Sequence, residues 1–302
     1  MKEALDLRGI NFEDGYIAVV DKPLRWTSTD VVRKIKFALR RLGYRKIKVG
    51  HAGTLDPLAT GILLVCIGRA TKLVDALQAE EKEYVADVML GATTPSHDLE
   101  HEIDRTYPWE HITREAVAEA LASLTGERLQ TPPVYSAKKI DGTRAYELAR
   151  AGEEVAVRQA LINIYEMEIV EYDLPRVRIR VRCSKGTYIR SLAHEIGQAL
   201  RSGAHLTSLR RTRSGGFTLE KAYELDDFLE NNWNEQEHAL IHGENSLKIG
   251  FSNPLMADSL SDVLETYGKQ HPDVFRHIFS GEDSELCREL ETHKLDIIFL
   301  PE

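Results

Sequence analysis

The chain has 302 residues, 42% apolar and 29% charged, the composition of an ordinary globular protein with room for two domains. No apolar run reaches the roughly 18 residues of a membrane span, and the mixed-charge N-terminus reads as neither a signal nor a transit peptide. The net charge of −9 is unevenly spread: residues 231–302 hold 5 Lys/Arg against 14 Asp/Glu, and the other 230 residues hold 34 of each.

Within that neutral body the basic residues cluster. Eight Lys/Arg and no acid fall between 33 and 48, and ten Lys/Arg against one acid, Glu195, fall between 176 and 213. Two cationic patches on a neutral body suit a polyanionic partner. The three cysteines, Cys66, Cys183 and Cys287, are widely spaced with no Cys-x-x-Cys pair. They argue for a reduced, cytoplasmic setting and against a disulfide framework or a zinc knuckle.

In chain order, residues 16–21 predict a buried strand. N-cap candidates at 27–30 then open a helix whose apolar positions are Val31, Val32, Ile35, Ala38, Leu39 and Leu42, closed by Gly43. Its outer face carries Arg33, Lys34, Lys36, Arg40 and Arg41. Residues 50–61 form a glycine-punctuated loop, followed by a strand at 62–67, a helix near 70–79, a strand at 84–90 and a helix at 113–124. A Pro- and Lys-bearing loop at 131–142 leads to a short helix through Tyr146 and Leu148, and a strand follows at 164–172. Arg176, Arg178, Arg180 and Arg182 alternate with Val177, Ile179 and Val181, a strand with one apolar and one guanidinium face. A helix at 188–201 and the basic stretch 209–213 complete the body. Irregular alternation of strands and helices predicts an α+β fold with a mixed central sheet. Residues 231–246 read as an acidic linker, and 247–302 as a β-α-β-α-β unit.

The loop 50–61 isolates one carboxylate. Pro57 drives Asp56 out of the α region, and glycines at 50, 53 and 61 permit sharp turns and close approach. Asp-Pro can simply initiate a turn, but a carboxylate held this way can also serve as nucleophile or base. His97-Asp98-Leu99-Glu100-His101 spells an inverted zincin pattern, which on a helix would present two histidines to zinc.

Several separated motifs resemble the TruB family of pseudouridine synthases over roughly 15–228: 21–28 with Lys22-Pro23, the loop around Asp56, Lys82-Glu83-Tyr84, 133–147 with Lys138, Lys185-Gly186-Thr187-Tyr188-Ile189-Arg190, and 204–211. The resemblance implies a pseudouridine synthase fold in 1–230 and isomerisation of a uridine in the T-loop of tRNA, with no cofactor and no metal. It implies Asp56, Tyr84 and Arg190 as catalytic residues, Tyr84 lying against the target base. His51, Lys22, Tyr188, Leu209, Lys138, Arg210 and Arg211 are the implied RNA-contacting residues. The expected partner is the T-arm of tRNA, for a monomer away from membranes. An RNA chaperone would use the same basic patches without chemistry. Segment 247–302 resembles the opening of a LysR-type effector-binding domain, which raises a transcriptional sensor as a further alternative.

Overall fold

The apolar run after Gly15 forms β1 (Tyr16–Lys22) in a computed structural model whose described residues are 7, 10–133, 135, 139–140, 143–144, 158–230, 246–252, 275–280, 282–291 and 295–299. Helix α1 (Ser28–Arg41) starts from a capping box: the Thr27 hydroxyl accepts from the Asp30 amide while the Asp30 carboxylate accepts from the Thr27 amide. It buries Val31, Ile35, Ala38 and Leu39. Next come β2 (Val49–Ala52), β3 (Ala59–Ile67), a short 3-10 turn leading into α2 (Val74–Ala79), and β4 (Lys82–Leu90). Helix α3 (Arg114–Leu124) is capped by Thr113 and stops before Gly126, whose φ is +102°. The body closes with β5 (Gly126–Gln130), β6 (Ala160–Asp173), β7 (Arg176–Cys183), α4 (Ile189–Ala199), β8 (Ala204–Ser214), β9 (Tyr223–Glu224) and α5 (Leu225–Glu230).

These strands build one ten-stranded sheet in the order β9-β1-β3-β8-β4-β7-β6-β5, with β2 added on β3 and residues 217–218 on β8. The pairs β1–β9 and β3–β8 are parallel and the remainder antiparallel, so the sheet is mixed and the fold α+β, as expected. Helices α3 and α4 cover one stretch of the sheet through Val117, Leu121, Leu192 and Ile196 against Ile162, Ile179 and Val181. Helices α1 and α5 cover another, with Val31, Ile35, Leu39 and Phe228 on Val20, Leu63 and Val65. The short helix expected through Tyr146 and Leu148 lies outside the described residues.

Two expectations change. The segment 50–61 is not all loop, since Gly50 to Ala52 pair with β3 and the loop proper is 53–58. The arginine face of β7 is also no open polyanion surface. Arg178 grips Asp87 with two hydrogen bonds of 2.7 and 2.9 Å, and Arg176 meets Glu171 at 2.7 Å. Arg180 bonds Glu168 at 2.7 Å and Glu83 at 3.0 Å, and Arg182 lies 3.7 Å from Glu166. The carboxylates come from the flanking strands β4 and β6, so the row is a cross-strand ion-pair ladder.

Residues Met1–Asn231 and Asn232–Glu302 form two separate compact units. In the second, β10 (Ser246–Phe251) lies between β11 (Phe275–Ser280) and β12 (Ile297–Phe299), all parallel, with α6 (Asp283–Glu291) between the last two in sequence. The helix expected at 257–270 falls outside the described residues. Among the described residues no helix is long and apolar enough to cross a membrane.

Candidate active site

The Asp56 loop is pinned from three sides by the segment that precedes and opens α1. The Ser28 hydroxyl, buried at the helix start, accepts from the Leu55 amide (2.9 Å) and donates to its carbonyl (3.2 Å). The Arg25 amide donates to the Pro57 carbonyl at 2.7 Å. The Lys22 ammonium donates to the carbonyls of Pro23 (2.8 Å), Trp26 (2.6 Å) and Pro57 (3.4 Å). Burial lowers its pKa to about 8, which Asp56 opposes. The expectation that Lys22 contacts RNA therefore fails: it has no exposed surface and works as an internal clamp on the loop.

The far side of the loop is set by a glycine. Gly61 has φ +95°, and a Cβ there would stand 2.2 Å from the Arg211 carbonyl oxygen. Only glycine lets β3 approach β8 this closely, and the approach brings Leu209 and Arg211 to the site. Arg211 is 1% exposed. Its guanidinium donates to the carbonyls of Ile62 (2.6 Å) and Gly53 (3.1 Å), so it braces the loop from within while also bordering the cleft. Arg210 points away on the alternate strand face, pairs with Asp21 and donates to the Thr60 hydroxyl at 3.2 Å.

Arg190 comes from the first turn of α4. That helix starts at Tyr188 without a side-chain cap of its own, and Gln130 supplies the substitute. Its amide oxygen accepts from the Tyr188 N–H at 2.8 Å, and its amide nitrogen donates to the Tyr188 carbonyl at 3.2 Å. Thus anchored, Arg190 is 4% exposed. Its Nε lies 2.9 Å from Asp56 Oδ2, a close ion pair that is not aligned as a hydrogen bond. The remaining fork donates to the carbonyls of Ser96 (3.3 Å) and Tyr135 (2.9 Å), with Asp98 Oδ2 at 3.7 Å. Arg190 thus stands between two carboxylates, and the inner one, Asp98, is a neighbour that no spacing in the sequence signals.

Asp56, Tyr84, Arg190, Tyr188, Leu209 and Arg211 line one cleft of about 290 Å³. The Asp56 side chain keeps 37% of its exposure, opening onto that cleft. Burial raises its pKa, Arg190 and Lys22 pull it back down, and Asp98 and Glu100 add to the rise. Tyr84 stands directly across from Arg211 in the β4–β8 register and is 8% exposed. Burial raises its hydroxyl pKa against the pull of Arg211, so the phenol stays neutral. Lys82, Lys185 and Gln78, not singled out from sequence as site residues, also line the cleft. The Lys82 ammonium is turned onto the carbonyls of Leu77, Gln78 and Glu80, tying down the end of α2 beside the mouth. His51 is half-buried on β2 opposite Val65, outside the cleft lining. Lys138 lies outside the described residues.

The zincin alternative is overturned. Residues 97–101 are turn and bend rather than helix, and His97 has φ +61°. The His97 ring stacks on His194 at 4.2 Å, while His101 packs on Tyr135 at 4.4 Å, so the two do not share a face. Burial and the neighbouring His194 and Arg190 lower the His97 pKa to about 4, a neutral ring packed behind the arginine.

Residues 40–189 match the TruB family pseudouridylate synthase N-terminal domain, and 190–247 match the tRNA pseudouridylate synthase B C-terminal domain. A tRNA pseudouridine synthase B from Phocaeicola vulgatus is 56% identical over 229 residues, covering 76% of this chain and 97% of the relative. One from Francisella philomiragia is 38% identical over 299 residues, 97% of this chain and 95% of the relative, so that match extends into the C-terminal unit. A Cbf5-Nop10-Gar1 complex contains a similar chain, with 31% identity and TM-score 0.56. The match covers 76% of this chain and 61% of that one. A chain of an H/ACA RNP bound to a substrate RNA containing 2'-deoxyuridine is 30% identical, with TM-score 0.56 over 77% of this chain and 57% of that one. By these matches the chain belongs to the TruB family of pseudouridylate synthases.

Proposed function

We propose that this TruB-family isomerase converts the T-loop uridine of tRNA to pseudouridine with Asp56 as its catalytic carboxylate. The observation that carries the assignment is the Asp56–Arg190 ion pair at 2.9 Å, set in a cleft whose other walls are Tyr84 and Leu209. The isomerisation breaks N1–C1′, turns the base, joins C5 to C1′, and exchanges a proton lost from C5 for one gained at N1. No atom is transferred to another molecule and no redox change occurs.

A base must leave its stack to enter the cleft, at a cost of a few kcal/mol. Stacking on Tyr84 returns about 1–3 kcal/mol of it. Each first step open to Asp56 (attack on the sugar, attack on the base, or removal of a sugar proton) requires its ionised form. Seating a base removes the remaining water from the carboxylate, and Arg190 holds the charge on it in that drier setting. Lys22 and Ser28 keep the loop from yielding as the base arrives. In this reading the chemistry resides in residues 1–230, the protein works as a cytoplasmic monomer, and residues 247–302 are accessory.

The test is tritium release from tRNA labelled at uridine C5. Wild type is expected to release about one equivalent per site, and Asp56→Asn to fall by at least roughly 10³-fold while binding tRNA normally. Normal binding without release by wild type would establish the chaperone alternative instead.

A further inference from the structure

We propose that the outer face of α1 is a second RNA-binding surface, which grips the body of the tRNA beyond its T-arm. The inference rests on the tRNA reading above and names a contact which that reading does not contain. Arg33, Phe37 and Arg40 follow one another at spacings of four and three residues, so they share one strip of the helix, flanked by Lys36 and Arg41. All three strip residues are exposed, and Phe37 is 60% exposed, among the most exposed large apolar side chains described. The Arg41 guanidinium lies 6.0 Å from the Phe37 ring centroid. The basic run continues past the helix through Arg45, Lys46 and Lys48, which are exposed as well.

The charge on this face is not neutralised as it is on β7. Arg33 meets Asp30 only at 3.6 Å, and Lys34, Lys36 and Arg40 have no carboxylate partner among the described residues. A cluster of cations around an exposed aromatic ring is what single-stranded or looped RNA rewards: phosphates take the cations and an unpaired base or ribose takes the ring. A membrane surface is a poorer fit, because the apolar stripe of α1 (Val31, Ile35, Ala38, Leu39) is buried in the core and leaves only Phe37 to insert.

Placement connects the face to the site. Ser28, the first residue of α1, bonds both polar groups of Leu55, next to Asp56. From there the 14-residue helix runs roughly 20 Å at about 1.5 Å per residue. The helix thus starts beside the Asp56 loop, and an RNA whose body extends along α1 from the cleft meets this face.

The experiment compares full-length tRNA with an isolated T-arm hairpin, using the whole chain and the variants Arg33→Gln/Arg40→Gln and Phe37→Ala. The double variant is expected to lose at least roughly tenfold in tRNA affinity, and its plot of log Kd against log salt should flatten by about two. Its affinity for the hairpin should change by less than about threefold, the T-arm lying in the cleft. Phe37→Ala should weaken tRNA binding without changing the salt slope. Unchanged thermal melting of both variants excludes misfolding, and Arg33→Lys/Arg40→Lys should restore the slope. Equal affinity of wild type and double variant for tRNA would overturn the proposal. So would loss of binding to anionic vesicles in the same variants with tRNA affinity intact. If the wild type fails to modify the hairpin, the T-arm reading fails, and the tRNA affinities still decide the role of α1.

Discussion

The four arginines of β7 and the single Arg190 lie within fifteen residues of each other along the chain and stand in opposite settings. The four on β7 are partly exposed, and each faces one or more carboxylates from β4 or β6. Arg190, a few residues on, is 4% exposed and shares its fork between Asp56, Asp98 and two backbone carbonyls. On the ladder the charges satisfy one another and water screens the remainder, so each pair contributes little. In the cleft the cation is dry and its partner is left open to a ligand. What an arginine does is decided by what stands across from it.

The sharpest way to test that contrast is to shorten the fork. Arg190→Lys keeps the charge but cannot reach Asp56 and both carbonyls together, and kcat is expected to fall roughly 10²-fold with tRNA affinity unchanged. Stopped-flow binding beside tritium release separates the two, and a matching loss of affinity would make Arg190 a binding residue.

Next comes the pH profile. Burial raises the folded pKa of Asp56, so the ionised form that the proposed chemistry requires is lost on acidification at a higher pH than for an ordinary carboxylate. The acid limb of kcat should therefore sit above the usual aspartate value of about 3.9. Arg190 pulls this pKa down, so Arg190→Met should move the limb of its residual activity to still higher pH. A limb that stays put would separate Arg190 from the ionisation of Asp56.

Lys22→Met probes the clamp. Losing one buried donor leaves the carbonyls of Pro23, Trp26 and Pro57 short of a partner. The cost should be about 1–3 kcal/mol in denaturant unfolding, with kcat reduced through a looser loop and little change in tRNA affinity. An effect on affinity alone would restore Lys22 to the RNA surface.

The smallest effect belongs to the ladder. Arg180→Gln should cost about 1 kcal/mol or less and leave tRNA binding and turnover within roughly twofold of wild type. A clear loss of tRNA affinity would mean that the ladder opens to RNA after all.

Much of the body is legible in the residue pattern alone. The periodicity of Val31, Ile35 and Leu39 places α1, and the Val177-Ile179-Val181 alternation places β7, because each pattern has the period of the element it forms. The proline and glycines set Asp56 apart, a pattern that a plain turn shares, and its catalytic role, like those of Arg190 and Tyr84, is what the resemblance to the TruB family implies. Lys22 misleads because a basic residue looks the same in sequence whether it faces water or a backbone carbonyl. Gln130 and Asp98 carry no local signal at all: Gln130 caps a helix 58 residues later, and Asp98 meets Arg190 across 92 residues of chain.

Local chemistry, then, marks the strands and helices whose period is regular and sets one carboxylate apart, since period, proline and glycine act on their own neighbours, while the strands at 126–130 and 204–214 emerge only from the sheet. Which charges are consumed and which are left available is settled by the sheet, because pairing depends on register between strands far apart in the chain. The β4–β7–β6 register sets arginines against carboxylates, and the close approach of Gly61 to Arg211 helps to shape the cleft that Asp56 faces.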